Sequence, residues 1–308
     1  MTGAVLVVGE ALIDIVRDID GRRTEVVGGS PANVALGLAR QGVDVRLLTA
    51  LGPDVYGERI AAQLRAAGVV VDDASWSLAG TSTARAQILA DGSAEYAFDV
   101  SWTLPDDLGP AAADLVHLGS ISAFLEPGAT TLEEWLGRSA GRTLVTFDPN
   151  IRPALLGDRE RAVKRFERLV AKADVVKLSD EDGAWLYPGL SPAQIGETVL
   201  GLGARLVAVT RGAAGALLRV EGFELEVAAP TVTVQDTVGA GDTFMAALIR
   251  RVLAVPALLE SPAPSELAAA GSYAVAAAAL TVQRVGADLP TAAEILETMR
   301  RVERQLRD

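Results

Sequence analysis

The chain has 308 residues, half of them apolar and 22% charged, with a formal charge of −12 and no cysteine. That length suits one large α/β domain with or without a small appendage, and the apolar fraction excludes a disordered chain. The acidic balance excludes a general affinity for nucleic acid or anionic membranes, and the missing cysteines exclude disulfides and thiolate metal sites.

The opening segment, MTGAVLVVGEALIDIV, carries Glu10 and Asp14 and lacks a basic region, so it does not read as a secretory signal and a soluble cytoplasmic protein is expected. Residues 5–9 form an apolar, β-branched strand, and Asp14 lies just beyond it. Asp20-Gly21, between two short extended runs, predicts a hairpin. VVGGSPANVALGLARQG, from Val26, then opens a helix over 31–41, with Ser30 as the expected N-cap, Pro31 in the first turn and Gly42 as the stop. Gly28 and Gly29 allow a ligand close to the backbone, and Asn33 offers a donor and acceptors to a polyol. Taken alone, the same residues make a turn that caps a helix.

A strand at 45–50 and a helix at 56–67 follow. A second hairpin is predicted around Asp91-Gly92, within TSTARAQILADGSAEYAFDV. Neither hairpin fits a βαβ alternation, so both are read as parts of a small separate sheet that covers a ligand site. Strands at 115–118, 144–147, 175–178 and 206–210 are apolar almost throughout, as strands of a parallel sheet buried on both faces should be, with a helix at 159–173 between them. His117, the only histidine, is read as structural, whereas Phe98 and Trp102 fall in the predicted cover. FDPNIRP, from Phe147, puts Asp148, Asn150 and Arg152 at a strand end, where parallel sheets bind ligands.

The most informative stretch is VQDTVGAGDTFMAAL, from Val234. An extended run, TVTVQ, leads through Asp236 to Gly239-Ala240-Gly241-Asp242 and into an apolar helical pattern. A helix N-terminus leaves backbone N–H groups unpaired and carries partial positive charge, so it receives anions. Two glycines let a phosphate approach that backbone, and Asp242 at its mouth is suited to accept a hydroxyl proton. An N-cap aspartate after a glycine turn accounts for the pattern equally well. The Ala-rich run at 267–282 is too short and too weakly apolar to span a bilayer and reads as a buried helix. No Gly-Lys pair and no G-x-G-x-x-G after the first strand occur, which leaves the Asp242 turn as the candidate phosphate cradle.

GGSPANVALGLARQG and DTVGAGDTFMAAL, about 200 residues apart and in this order, resemble the two signatures of the ribokinase-like family of carbohydrate kinases, also called the PfkB family. The resemblance runs over residues 5–290 and is greatest to fructokinases. It implies an α/β fold: a ribokinase-like three-layer sandwich with a mainly parallel central sheet and a small β-sheet lid. Residues 1–308 would form a single kinase domain, with the lid built from about 15–27 and 81–102.

The resemblance also implies transfer of the γ-phosphate of ATP, with Mg2+, to a primary hydroxyl of a sugar. Asp242 would be the catalytic base, with Gly239, Ala240 and Gly241 as the anion hole. Asp14, Gly28, Gly29 and Asn33 match sugar-binding positions, and Arg152 matches an arginine near the sugar in fructokinases and 2-keto-3-deoxygluconate kinases. Thr210, Gly212 and Gly215 of TRGAAG match the turn that contacts the nucleotide phosphates. Ser179 and Asp182 stand where the family's N-x-x-E motif organises magnesium through water, although S-x-x-D is also a capping box. Asp236 matches a position beside a monovalent cation such as K+. Fructose is the expected substrate, with 2-keto-3-deoxygluconate or a catalytically inactive sugar-binding regulator as alternatives. An exposed lid-strand edge would favour a homodimer.

Overall fold

A computed structural model describes residues 3–89, 94–139 and 143–305. Its strands are β1 (Val5–Val8), β2 (Leu12–Arg17), β3 (Arg23–Gly28), β4 (Val45–Leu48), β5 (Val70–Val71), β6 (Thr83–Ile88) and β7 (Ala94–Asp99). They continue with β8 (Leu115–Gly119), β9 (Leu144–Asp148), β10 (Val175–Ser179), β11 (Leu206–Thr210), β12 (Ala216–Val220) and β13 (Phe223–Val227). The helices are α1 (Ser30–Arg40), α2 (Val55–Ala66), α3 (Gly128–Ser139), α4 (Pro153–Leu156) and α5 (Arg159–Val170). After them come α6 (Asp180–Leu186), α7 (Pro192–Gly201), α8 (Ala240–Ala254), α9 (Pro264–Thr281) and α10 (Ala292–Gln305).

Nine strands form the large sheet, in the order β13-β12-β11-β10-β9-β8-β1-β4-β5. It is parallel from β11 to β5, and only the β11–β12 and β12–β13 pairings are antiparallel, so β12 alone runs against the other strands. VLVV and LVHLG are buried at every position, because helices cover both faces. On one face α3, α5 and α7 pack through Leu132, Trp135, Phe166 and Ile195. On the other, α1, α8 and α9 pack through Leu38, Met245 and Ala274. These are the three expected layers. The Ala-rich run lies in α9, mostly buried, and among the described residues no helix is long and apolar enough to cross a membrane.

The small sheet has the order β3-β2-β6-β7. The hairpin expected at Asp20-Gly21 joins β2 to β3, with Arg17 opposite Arg23. Asp91-Gly92 lies outside the described residues, but the flanking β6 and β7 pair antiparallel, Thr83 opposite Asp99. What unites the two hairpins is the parallel pairing of β2 with β6, Asp14 beside Ala84.

Several readings are corrected. TVTVQ joins neither sheet; the Gln235 N–H instead donates to the Val282 carbonyl at 2.8 Å. The β12–β13 hairpin, turning at Glu221-Gly222, was not expected and closes one edge of the large sheet. Trp102 is buried in the core against Gly128, outside any cover. His117, read as structural, lies within β8, its Nδ1 3.0 Å from Thr146 Oγ1. Burial, then the charge of Lys177, pushes its pKa down to about 3, so it is neutral, as a structural histidine should be.

Candidate active site

The functional candidates collect at the carboxyl edge of the large sheet, because the parallel strands end at matching levels. Gly119 of β8 lies beside Asp148 of β9, and Ser179 of β10 lies beside Thr210 of β11. A buried ion pair spans the neighbouring strands: Lys177 Nζ is 2.8 Å from Asp148 Oδ2. Past β9 the chain turns sharply, with Asn150 at φ 37° and its N–H on Asp148 Oδ1.

Helix α8 starts at this edge. Its N-cap, Gly239, adopts the left-handed conformation (φ 79°), which a side chain would disfavour. The first turn of α8 therefore follows directly on a bare backbone turn, with the Ala240 N–H donating to the Thr237 carbonyl at 3.3 Å. Asp242, in that turn, is buried, and both its oxygens are engaged by α1. The Ser30 hydroxyl donates to Oδ1 at 2.6 Å and the Asn33 amide to Oδ2 at 2.8 Å. The two glycine-rich signatures are thus in direct contact across more than 200 residues of chain.

The role of Ser30 differs from the sequence expectation. The N-cap of α1 is Gly29 at φ 99°, and Ser30 is already helical, so its hydroxyl is available to Asp242. Burial holds the Asp242 pKa above the ordinary carboxylate range, opposed by the Ser30 and Asn33 hydrogen bonds and the charges of Lys177 and Arg152. A carboxylate in this state is a stronger base than an exposed one.

Asp14, on β2, leans over the first signature: a methyl on Gly28 would lie 2.0 Å from Asp14 Oδ2, so a side chain there would displace the Asp14 carboxyl. A methyl on Gly29 would lie 2.5 Å from the Glu10 carbonyl oxygen. Burial raises the Asp14 pKa to about 6, and the charge of Arg152 opposes the rise. Arg152, exposed at the start of α4, donates to the Ile151 carbonyl at 3.0 Å and acts through its field on both Asp14 and Asp242. Arg152 thus couples Asp14 to Asp242, which Asn33 contacts directly, so the four residues stand in one neighbourhood.

Thr210 ends β11, and Gly212–Ala214 forms a single 3-10 turn closed by Gly215 at φ 88°. Ser179 and Asp182 form a full capping box for α6. The Asp182 N–H donates to Ser179 Oγ, and Asp182 Oδ2 accepts from the Ser179 N–H, both at 2.9 Å. Asp182 Oδ1 accepts the Ile151 N–H at 2.8 Å, tying α6 to the turn that carries Arg152. Asp236 accepts the N–H groups of Val238 and Gly286 at 3.0 and 2.8 Å, which ties the approach to α8 to the loop after α9. No group of three or more histidine or carboxylate side chains arranged for a metal occurs among the described residues.

Two charged groups at this edge went unread in the sequence. Lys177 interrupts the otherwise apolar VVKLS, a visible signal, since a cation inside a doubly covered strand needs a partner. Glu10 follows β1, and its Oε2 accepts the Ser122 N–H at 3.1 Å. Burial pushes its pKa up to about 7.

A mostly parallel nine-stranded sheet with a small separate sheet and helices on both faces is a ribokinase-like fold, and the protein class it defines here is a phosphotransferase. The chain belongs to the pfkB family of carbohydrate kinases, whose pattern matches residues 3–294. A fructokinase of Rhizobium leguminosarum bv. trifolii is 35% identical over 258 residues, covering 80% of this chain and 78% of that protein. A fructokinase of Klebsiella pneumoniae is 34% identical, covering 86% and 90%. The structure of a fructokinase from Xylella fastidiosa with bound ATP superposes with a TM-score of 0.83 at 27% identity, over 97% of this chain and 99% of that one.

Proposed function

We propose that this carbohydrate kinase is a fructokinase that takes ATP as phosphoryl donor. The observation that carries the reading is the contact of Asp242 with Ser30 and Asn33 at the glycine-rich start of α8. Residues 1–308 act as one kinase domain. The small sheet, which falls largely within the expected lid segments of about 15–27 and 81–102 and leaves Trp102 in the core, would be its lid, excluding water that would otherwise hydrolyse ATP.

In this reading Asp14, Gly28, Gly29, Asn33 and Arg152 hold the sugar, and Thr210, Gly212 and Gly215 receive the nucleotide phosphates. The primary hydroxyl attacks the γ-phosphorus in line, its proton passes to Asp242, and the bond to the β-phosphate oxygen breaks as ADP leaves. Positioning and charge stabilisation supply most of the acceleration. Proton acceptance by Asp242 contributes about 10²–10⁴ in rate, or roughly 3–5 kcal/mol. The N–H groups at Gly239, Ala240 and Gly241 receive the charge that develops on the phosphoryl oxygens.

Magnesium bound to the ATP phosphates neutralises part of their charge. Both Asp182 oxygens already hold a backbone N–H, which fits a residue that keeps a hydrated ion in place through water rather than a direct ligand. Asp236 is the candidate neighbour of a monovalent cation such as K+. The cytoplasm, where ATP is abundant, is the proposed location, and a homodimer would form through a free edge of the lid sheet.

Arg152 favours one alternative, 2-keto-3-deoxygluconate, whose carboxylate it would neutralise. ADP release measured over fructose, 2-keto-3-deoxygluconate, ribose and adenosine separates these readings. Fructose should give the highest kcat/KM, and Asp242→Asn should lower turnover about 10²–10⁴-fold with sugar affinity retained. Near-normal turnover of that variant would remove Asp242 as the base.

A further inference from the structure

Only three of the 28 basic side chains in this chain are lysines. Lys164 and Lys172 are exposed, whereas Lys177 is buried on β10, 3% exposed. Taking an ammonium and a carboxylate out of water costs several kcal/mol per ion, and an apolar pair of similar volume is often as stable. A role confined to packing therefore explains the Lys177–Asp148 pair poorly. Its placement adds a second observation: a methyl on Gly241 would lie 2.9 Å from Nζ, so the ammonium abuts the first turn of α8.

Burial disfavours that ammonium, yet Asp148, Asp182 and Asp242 together raise its pKa above the ordinary lysine value. It stays charged. Of its three N–H donors, Asp148 takes one at 2.8 Å, and no other hydrogen-bond partner occurs among the described residues. Asp148 is itself held by the Asn150 N–H, so the ammonium has a fixed seat.

We infer that Lys177 is a catalytic residue whose ammonium binds an oxygen of the transferring phosphoryl group at the floor of the Gly239–Gly241 turn. This rests on the kinase reading above and deepens it. No proton leaves Lys177 during the step: the hydroxyl proton goes to Asp242, the new P–O bond forms on the sugar, and the old one breaks on ADP. The ammonium supplies fixed positive charge where the phosphoryl charge spreads, a contribution that a backbone turn of neutral N–H groups lacks.

Three lysines make the test direct. With lysine labelled by ¹³C and ¹⁵N, Lys164→Arg and Lys172→Arg together leave Lys177 as the single Cε/Nζ signal. Adding ADP, aluminium fluoride and fructose should move that signal, while fructose alone or ADP alone should leave it in place. An unmoved signal at concentrations that inhibit turnover would overturn the assignment, as would an equal shift with ADP alone. In parallel, Lys177→Met combined with Asp148→Asn replaces the pair with uncharged groups. Its kcat should fall about 10²–10³-fold with the sugar KM within about threefold. A folded double variant with kcat near the parent's would also overturn it. If Asp242→Asn abolishes turnover while the Lys177 signal does not respond, only the lysine assignment fails; a wild-type chain that phosphorylates no sugar removes both.

Discussion

Gly241→Ala separates stability from catalysis at the centre of the site. Gly241 is not in a left-handed conformation, so alanine suits its backbone, and in a helix alanine is favoured over glycine by up to about 1 kcal/mol. The obstacle is one atom, Lys177 Nζ, 2.9 Å from the new methyl, at the end of a flexible side chain. Restoring an ordinary contact of about 3.4 Å would stretch the Lys177–Asp148 pair by a few tenths of an ångström. At an effective dielectric constant of about 20 that costs roughly 1 kcal/mol. The two effects offset each other, so the melting temperature should stay within a few degrees of the parent's.

Turnover should not be spared. The methyl occupies the turn that a phosphoryl oxygen must reach to within hydrogen-bond distance of the backbone, and losing one such donor costs about 10²–10³ in kcat. The variant is compared with the parent by thermal unfolding and by coupled ADP release, with the sugar KM as the internal control. A kcat within threefold of the parent at an unchanged melting temperature would show that this turn does not cradle the phosphoryl group.

Arg152→Ala should raise the sugar KM more than the ATP KM, and the reverse pattern would place the arginine on the nucleotide side. Its loss should be felt most by an acidic sugar, which makes it a second probe of substrate class. Glu10 predicts a pH dependence of stability. Its folded pKa of about 7 exceeds the ordinary 4.5, so between these values the folded state binds more protons than the unfolded one. Stability contributed by Glu10 is therefore greatest in acid and falls as pH rises towards 7, by roughly 3 kcal/mol in all. Urea unfolding of Glu10→Gln should match the parent near pH 4 and exceed it by about that amount at pH 8. A difference independent of pH would contradict the burial argument.

The positions of the central strands along the chain are legible because each is a short apolar run between helical patterns, a periodicity that local sequence carries without help. The same holds for the two signatures and for the capping box at Ser179 and Asp182, whose bonds join residues three apart. TVTVQ shows the limit of that signal. Alternation states which side chains prefer burial, and a ladder exists only if another strand offers its edge. The β2–β6 pairing is invisible for the same reason, since nothing in either segment names its neighbour.

At the site, residue types identified Asp242 and Asn33 as candidates, but the distances between them come from the packing of α1 against α8. Ser30 reads as a cap because capping is a local bond, whereas its hydroxyl in the fold donates to an acid 212 positions away. Lys177 has no partner legible in the sequence, because a charge in a strand acquires one only when strands are laid side by side. Local sequence thus specified the elements and the glycine turns, through backbone preference and hydrophobic period. The ionisation of Asp242, the seat of Lys177 and the coupling of Arg152 to Asp14 and Asp242 arise from burial and from fields of groups distant in the chain, and those exist only once it is folded.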